Sequence, residues 1–390
     1  MLEQNRAIKL NYVREHNVAL ITSVLYERPL SCLELSGRIG ISDVGVRKIV
    51  KELEAQGMLE VAPEENAPRK KGNQHIRYRI NAQYGFFLIV DFTHLNELYA
   101  VFDYAGNRIL EKRGFDLPFL DVTDEDLANL IAEIKAALRA AGIEESRLLN
   151  VQLSVPGQID EKNRCFTISH RFKNYENDGE GRFFRMFEEA FGAPVSAKNN
   201  VAYMALGEAE KGFSSEYGCA IYLFVGYGIA ATVLYRGEVV QGWRGYAGEI
   251  GGSKFGYDST LSLNCSVKRL EDKCAPYLET VNFEGLLKAY RAGGPVREII
   301  LNSADVLAMF ISTFSNLIGA DVVMIGGEGL EYGAEYLDRV KKYVLSHTIA
   351  KAKVVPSARK NAAVFGALAE AKKRVIEDYN EKRRACAQAE

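Results

Sequence analysis

Two groups of cationic side chains near the N-terminus have spacings suited to binding phosphates. Arg47, Lys48 and Lys51 recur three and four residues apart, and a second group, Arg69-Lys70-Lys71, lies in a polar loop. Residues 1–80 carry 13 Lys and Arg against 10 Asp and Glu, whereas the other 310 residues carry 36 against 41. Because the whole chain has a net charge of −2, any contact with nucleic acid is expected from a small N-terminal module.

Two helical patterns precede the first cationic group. One is apolar on a single face over residues 18–25 and ends before Pro29, because proline cannot continue a helix. Ser31 is the predicted N-cap of the other, with Glu34 at the capping-box position and Gly40 as its stop.

The third helical pattern contains the first cationic group. It is predicted to begin after the N-cap Ser42 and to run over residues 43–56, with Gly57 as its stop. Its apolar stripe is predicted to face the core and consists of Val46, Ile49, Val50 and Leu53. Two helices joined by a short Gly-containing turn predict a helix-turn-helix.

Short strand patterns over residues 58–61 and 75–80 flank the basic loop and predict a hairpin. A helix-turn-helix followed by such a hairpin is a winged helix, whose third helix enters the major groove while the wing contacts phosphates. The predicted DNA-binding residues are Ser42, Asp43, Gly45, Arg47, Lys48, Lys51, Arg69, Lys70 and Lys71. Asp43 opposes strong affinity, since an acid repels phosphates, but it could accept from a cytosine amino group. A small protein-interaction domain with a solvated basic loop is the alternative.

From Tyr84 onward, short apolar strands alternate with helices, which predicts an α/β fold. The predicted elements are strands over 86–92, 98–103 and 108–114, a helix over 124–140 and a strand over 149–155. Residues 100–107 resemble residues 231–238, although hairpin chemistry alone could give so short a match. Two copies of one meander predict a duplicated architecture with a cleft between two lobes.

Three polar residues of this region have side chains that can form hydrogen bonds. Asn199 and Asn200 are adjacent amides, which both donate and accept hydrogen bonds, and Glu249 lies in a glycine-rich segment. The alternative for Asn199 is an N-cap of the helix that begins at Val201. The alternative for Glu249 is a surface acid beside a turn.

Three motifs resemble the ROK family of repressors, open reading frames and sugar kinases. They are Leu153–Asp160 with its Pro-Gly turn, the loop from Asn199-Asn200 to Gly207-Glu208, and the glycine-rich run Gly242–Gly252. The resemblance implies an N-terminal winged helix-turn-helix followed by a duplicated actin-like (ribonuclease H-like) two-lobed sugar-kinase fold. It also implies that Asn199, Asn200 and Glu249 bind sugar hydroxyls.

The same resemblance implies that the kinase chemistry is lost. The kinases carry an acid where Asn200 stands, and an amide cannot take up the sugar proton, a step worth about 10²–10⁴ in rate. The first phosphate turn, residues 91–96, contains no glycine, and Tyr227 replaces a small hydroxyl residue in the second. Glu328, in the third turn, would repel a polyphosphate. We therefore expect no catalytic residue.

The zinc site that the resemblance implies is also incomplete. Gly252 stands where the family has a histidine ligand, and only Cys265 and Cys274 remain of its cysteine cluster. Because structural zinc needs four ligands, we expect neither a metal nor another cofactor.

Composition sets the expected compartment. No apolar run reaches membrane-spanning length, and six scattered cysteines form no disulfide framework, which is typical of a cytoplasmic protein. The expected domains are a winged helix over 1–82, lobes over 83–200 and 201–375 with the last helix packing on the first lobe, and a charged tail over 376–390.

Taken together, these features predict a transcriptional regulator, most simply a repressor, of carbohydrate metabolism genes. Its expected partners are operator DNA, a sugar or sugar-derivative effector, and a second copy of itself in a homodimer or a dimer of dimers, with no membrane. Two alternatives stay open: a sugar kinase with an accessory DNA-binding domain, and a sugar-blind regulator whose large domain serves only for oligomerisation.

Overall fold

The structure is a computed structural model that describes residues 2–63, 76–93, 97–210, 217–254 and 259–389. Within this range, strands form one three-stranded sheet, two five-stranded sheets and a separate two-stranded hairpin. Helices accompany each of the larger sheets. The predicted α/β fold class is confirmed.

The N-terminal module contains three helices. They are α1 (Leu2–Glu27), α2 (Cys32–Ile39) and α3 (Asp43–Ala55). Ser31 and Glu34 form the predicted capping box at the start of α2, and the Ser42 hydroxyl accepts from the Gly45 amide at the start of α3. The predicted core face of α3 is buried, namely Val46, Ile49, Val50 and Leu53.

The first helix is longer than its sequence pattern predicts, because it begins at Leu2 and not near Val18. The early turns of α1 carry no apolar stripe of their own, so periodicity could not reveal them. Farther along, Glu15 pairs with Arg384 of the last helix at 3.2 Å. Tertiary contacts of this kind can stabilise helix that local sequence does not predict.

A small antiparallel sheet completes the winged helix. Its strands are β1 (Leu30–Ser31), β2 (Leu59–Val61) and β3 (Arg77–Ile80), in the order β1-β3-β2. Glu60 lies opposite Arg79 across the hairpin, and the two side chains pair at 2.7 Å. The predicted wing cations Arg69, Lys70 and Lys71 lie outside the described residues.

The first lobe is built on a five-stranded sheet. Its elements are β4 (Phe86–Asp91), β5 (Leu98–Asp103), β6 (Arg108–Arg113), α4 (Asp124–Ala140), β7 (Leu148–Val155), β8 (Gln158–Asp160), β9 (Cys165–Ile168), α5 (Arg182–Phe191) and β10 (Val195–Asn199). The sheet order is β10-β7-β4-β5-β6, with an antiparallel meander β4-β5-β6 and parallel neighbours β7 and β10. The hairpin β8-β9 stands apart from this sheet and faces the second lobe.

The second lobe repeats this plan. Its elements are α6 (Asn200–Glu208), β11 (Cys219–Val225), β12 (Ile229–Tyr235), β13 (Glu238–Val239), α7 (Leu261–Cys265), α8 (Val267–Cys274), α9 (Phe283–Ala292), α10 (Pro295–Ile318), β14 (Val322–Gly326), α11 (Ala334–His347) and β15 (Lys353–Pro356). The sheet order is β13-β12-β11-β14-β15, again a meander followed by two parallel strands. The matching orders confirm the duplication that the short sequence repeat indicates.

The last helix, α12 (Ala362–Ala389), joins all parts of the molecule. It crosses α6 so closely that a Cβ on Gly207 or Gly366 would collide with main-chain atoms of the other helix. It also packs on β4 and β7 of the first lobe and on α1. Because α12 continues through residue 376 without a break, the predicted tail is part of this helix. The domain boundaries remain our proposal.

Among the described residues, α10 is the one helix long and apolar enough to cross a membrane by length and composition. Half of its most apolar stretch is buried, and the helix packs against α11 and α7. Side chains such as Leu307 and Ile311 lie in the core of the second lobe, so packing within the protein accounts for the apolar composition.

Candidate functional site

The outer face of α3 is cationic. Arg47, Lys48 and Lys51 are exposed, as predicted for side chains that contact DNA, and the capping Ser42 is exposed beside them. Gly45 is half-buried and lies against the Ser42 side chain, so it belongs to the cap rather than to the outer face. The geometry therefore presents three cations along one side of the predicted recognition helix.

Asp43 is paired within the helix. Its carboxylate accepts a hydrogen bond from the Arg47 guanidinium at 2.7 Å, an i,i+4 pair. Asp43 therefore holds the Arg47 guanidinium in this structure. The neighbouring Val44 is 78% exposed, and an apolar side chain at the start of a recognition helix can contact a thymine methyl group. Val44 is not among the residues that the sequence predicts to contact DNA.

Asn199 lies where β10 ends and α6 begins. Its side-chain oxygen accepts from the Val201 amide at 2.8 Å, and its nitrogen donates to the Gly157 carbonyl at 2.9 Å. The capping alternative is therefore present in the structure. Asn199 also lines a small cavity between the lobes, where it could contact a ligand.

Asn200 faces away from that cavity. It is buried, and its side-chain nitrogen donates to the Thr93 hydroxyl at 3.1 Å. Thr93 in turn donates to the Asp91 carboxylate at 2.7 Å, and the Ser154 hydroxyl donates to the same oxygen at 2.8 Å. The structure therefore separates the two predicted sugar-binding amides and places Asn200 in a closed hydrogen-bond network.

Burial controls the titration of Asp91. It raises the pKa of Asp91 to about 6, against the opposing effect of the hydrogen bonds from Thr93 and Ser154. The folded state therefore binds more protons than the unfolded state between pH 3.8 and about 6. This stabilising contribution is fully present below the unfolded pKa and is lost as pH rises through the folded one.

We expect Asp91→Asn to remove this pH dependence. The amide keeps an oxygen for the three donor groups and has no charge to desolvate. The free energy of unfolding of the variant should therefore exceed that of wild type by up to about 3 kcal/mol between pH 4 and 7. Urea unfolding across that range measures the difference. Asp338→Asn, at an exposed acid, is the control, and parallel curves for wild type and Asp91→Asn would contradict the expectation.

Glu249 lies at the mouth of the cleft. Its carboxylate accepts a hydrogen bond from the Gln158 side chain of β8, although Glu249 itself is exposed. Gln158 is buried and lines the same cavity as Asn199. The structure thus brings Asn199 and Glu249 to one cleft, with Gln158 between them.

Further contacts hold the two lobes together here. Arg244 of the second lobe donates to Asp160 at 3.2 Å and to Asn177 at 3.1 Å in the first. These bonds help to keep Arg244 at φ 50, a backbone conformation that costs a non-glycine residue about 1–2 kcal/mol. Gln241 also crosses the cleft, donating to Glu161 at 2.6 Å.

The cleft is closed in this state. The cavity that Asn199 and Gln158 line has a volume of about 30 Å³. A water molecule needs about 10–15 Å³ of such space, so the cavity has room for about two water molecules and not for a sugar ring. Its polar lining also includes residues that sequence reasoning did not assign, namely Glu161, Lys198 and Gln241. The sequence signal for these three residues is that each lies next to a residue of a predicted motif.

The turns that hold phosphates in kinases are filled by side chains of the protein. The ring of Tyr227 meets that of Phe119 from the first lobe at 5.4 Å. The Glu328 carboxylate lies directly against Gly226, and one of its oxygens has no hydrogen-bond partner. Burial raises the pKa of Glu328. The acid therefore fills the space beside Gly226 in this structure.

The two remaining cysteines of the family's zinc cluster lie in the core of the second lobe. Cys265 and Cys274 are both buried among apolar side chains. Burial raises the pKa of Cys265 to about 12, which disfavours the thiolate that binds metals. Among the described residues, no group of three or more His, Cys, Asp and Glu could hold a metal ion.

The fold and the cleft together define a two-domain protein: a winged helix joined to a duplicated, actin-like domain of the sugar-kinase type. Comparison with known proteins supports this class. The ROK family matches residues 99–374, which is more than half of the sequence. This chain belongs to the ROK family.

Individual relatives cover nearly the whole chain. The xylose repressor of Caldicellulosiruptor bescii is 20% identical over 84% of this chain and 87% of its own length. That of Staphylococcus xylosus is 20% identical over 78% of this chain and 80% of its own length.

Solved structures share the fold. A ROK family transcriptional regulator, a homolog of the E. coli MLC protein, covers 95% of this chain and 98% of its own, with a TM-score of 0.77 and 18% identity. A ROK hexokinase from Thermus thermophilus covers 72% of this chain and 96% of its own, with a TM-score of 0.58 and 22% identity.

Proposed function

We propose that this protein is a sugar-responsive repressor that binds operator DNA and controls carbohydrate metabolism genes in the cytoplasm. One observation carries the proposal: a winged helix with three exposed cations is joined to a sugar-kinase-like domain whose phosphate turns are filled by Tyr227 and Glu328. Two relatives that cover most of the chain are xylose repressors.

The DNA contact is proposed for α3 and the wing. Lys48 and Lys51 would bind phosphates, together with Arg69, Lys70 and Lys71 of the wing, while Arg47 leaves Asp43 for DNA. Two winged helices of a homodimer would contact half-sites one or more helical turns apart.

The effector is proposed to be a sugar or sugar derivative that binds between the lobes. Asn199, Gln158 and Glu249 supply donors and acceptors for hydroxyl groups. Because the cavity of about 30 Å³ cannot hold a sugar ring, the lobes must separate for binding. Such a ligand shifts the population from the closed to the open state because it binds the open state more tightly.

Titration of upstream DNA tests the proposal. Fluorescence anisotropy with duplexes from the gene's own upstream region should show specific binding, and one sugar of a panel that includes D-xylose, D-glucose and N-acetylglucosamine should weaken it. Allosteric effects of this kind are about 5- to 150-fold. Specific DNA binding that no sugar changes would support the sugar-blind regulator instead, and absence of specific binding would reject the proposal.

A sugar kinase with an accessory domain is the second candidate, favoured by the kinase-type fold and by the position of Asn199 in the cleft. We expect no sugar-dependent ATP hydrolysis by wild type, and none by Asn200→Asp, because Glu328 occupies the space beside Gly226. A coupled ADP assay with the same sugars measures this, with a ROK hexokinase as the positive control. ADP release by Asn200→Asp well above background would revive the kinase.

A further inference from the structure

Four parts of the molecule meet at one carboxylate in the cleft. Glu161 follows β8 and accepts hydrogen bonds from Lys198 of β10 and, at 2.6 Å, from Gln241 of the second lobe. The Arg374 guanidinium of α12 lies 3.6 Å from the same carboxylate. Because Glu161 and Lys198 also line the cavity, a ligand there would contact this cluster directly.

The cluster continues onto α12. Glu370 lies 3.7 Å from Lys198 and 3.6 Å from Arg374, one helical turn away. The side chains of Lys198 and Glu370 are only 10% and 13% exposed, so water screens these charges little. Removing one partner from such a cluster leaves a poorly solvated charge, and the remaining side chains must rearrange.

The helix α12 also contacts the winged helix. Two residues after Glu370, Lys372 lies over the ring of Tyr26 in α1 at 4.2 Å, and Arg384 pairs with Glu15 of α1 at 3.2 Å. Residues two apart on a helix point to different faces, so Glu370 contacts the cleft cluster from one face of α12 and Lys372 contacts α1 from another.

From α1 the contacts reach the proposed recognition helix. Arg14 of α1 pairs with Glu52 of α3. A groove of about 1160 Å³ lies between α1 and α12, lined by residues that include Thr22, Tyr26 and Asn380. The winged helix contacts α12 through side chains that lie beside this groove, and it contacts the first lobe where the rings of Tyr26 and Tyr84 pack against Tyr104.

We propose that Glu161, Lys198, Glu370 and Arg374 are positioning residues that report occupancy of the cleft to the winged helix through α12. A sugar that enters the cleft donates hydrogen bonds from its hydroxyl groups to Glu161 and displaces Gln241. The ion pairs that Lys198 and Arg374 form with Glu161 and Glu370 then rearrange, and α12 moves relative to α1. This inference rests on the proposed function, because it needs an effector in the cleft.

Glu370→Gln tests the proposal, because Glu370 does not line the cavity. The variant should bind sugar, and should bind operator DNA in the absence of sugar, with affinities within about threefold of wild type. The effect of sugar on its DNA affinity should fall from the usual 5- to 150-fold range to less than about threefold. The single tryptophan of the chain, Trp243, is 81% exposed beside Arg244, which crosses the cleft to Asp160, and its fluorescence would report sugar binding. DNA affinity would be measured by anisotropy.

Two further variants complete the test. Arg374→Gln removes the other α12 member of the cluster and should give the same uncoupling. Glu279→Gln is the matched control, because it neutralises an acid of an exposed ion pair with Lys288, outside the cluster. Its response to sugar should equal that of wild type.

The outcomes separate this proposal from the proposed function. A sugar response of wild-type size in Glu370→Gln and Arg374→Gln would overturn the role of the cluster and leave the repressor intact. A wild-type protein whose DNA affinity no sugar changes would overturn both. Hydrogen exchange of wild type gives a readout without variants: sugar should raise exchange in α1 and α12, and unchanged exchange there would also overturn the proposal.

Discussion

Replacing Arg47, Lys48 and Lys51 together by alanine is expected to weaken binding to upstream DNA by at least about 100-fold. All three side chains are exposed on one face of α3, and each cation that binds a phosphate releases counterions from DNA. The dependence of binding on salt should fall as well, by about 0.9 in log–log slope for each phosphate that the variant no longer neutralises. Fluorescence anisotropy at several salt concentrations measures both quantities.

The control variant removes the same number of positive charges from another part of the protein. Lys112, Lys288 and Lys341 are exposed and lie outside the winged helix, so replacing all three by alanine should leave specific binding nearly unchanged. Equal reductions in affinity for the two triple variants would mean that overall charge, and not α3, determines binding. Full binding by the Arg47, Lys48 and Lys51 variant would reject α3 as the DNA-contacting helix.

Gly366→Ala is expected to destabilise the fold by about 3 kcal/mol or more. An added Cβ would overlap the Tyr203 carbonyl of α6, and the nearest atoms belong to backbone, which cannot move aside as a side chain can. The two helices would have to separate, and the packing of α12 on both lobes would be disrupted. Urea unfolding at fixed pH gives the change in free energy of unfolding.

Gly37→Ala supplies the matched control with the opposite expected sign. Gly37 also lies within a helix, α2, but an added Cβ there would meet no atom within 4 Å. Alanine should therefore stabilise the protein by about 0.5–1 kcal/mol through its higher helix propensity. If Gly366→Ala were as stable as Gly37→Ala, the close crossing of α6 and α12 would be incorrect.

The crossing also explains part of the motif by which the family resemblance is recognised. Gly207 allows α12 to approach α6, and the adjacent Glu208 is buried, where it accepts from the Ser357 hydroxyl at 2.6 Å and from the Arg359 amide at 3.1 Å. These residues attach the segment before α12 to α6. The Gly-Glu pair therefore has a structural role that does not depend on a sugar.

Local features of the chain were predictable from sequence because their causes lie within a few residues. Ser31 and Glu34 cap α2 through atoms three residues apart, and the buried stripe of α3 follows from helical periodicity. The two meanders were visible as alternating strands and turns, and their resemblance indicated the duplication. The beginning of α1 was missed because it carries no apolar stripe, and the contact of Glu15 with Arg384 of α12 is not visible in a local pattern.

The sequence alone therefore determined the winged helix, the duplicated α/β fold and the loss of the kinase acid at Asn200. Only the tertiary structure decided which polar groups share a cleft: it turned Asn200 toward Thr93, joined Gln158 to Glu249 and brought Glu161 to Lys198 and Arg374. The partners in these contacts lie from 37 to more than 200 residues apart in the chain. Their meeting depends on how two lobes and a long helix pack together, and no local pattern of residue types encodes that distance.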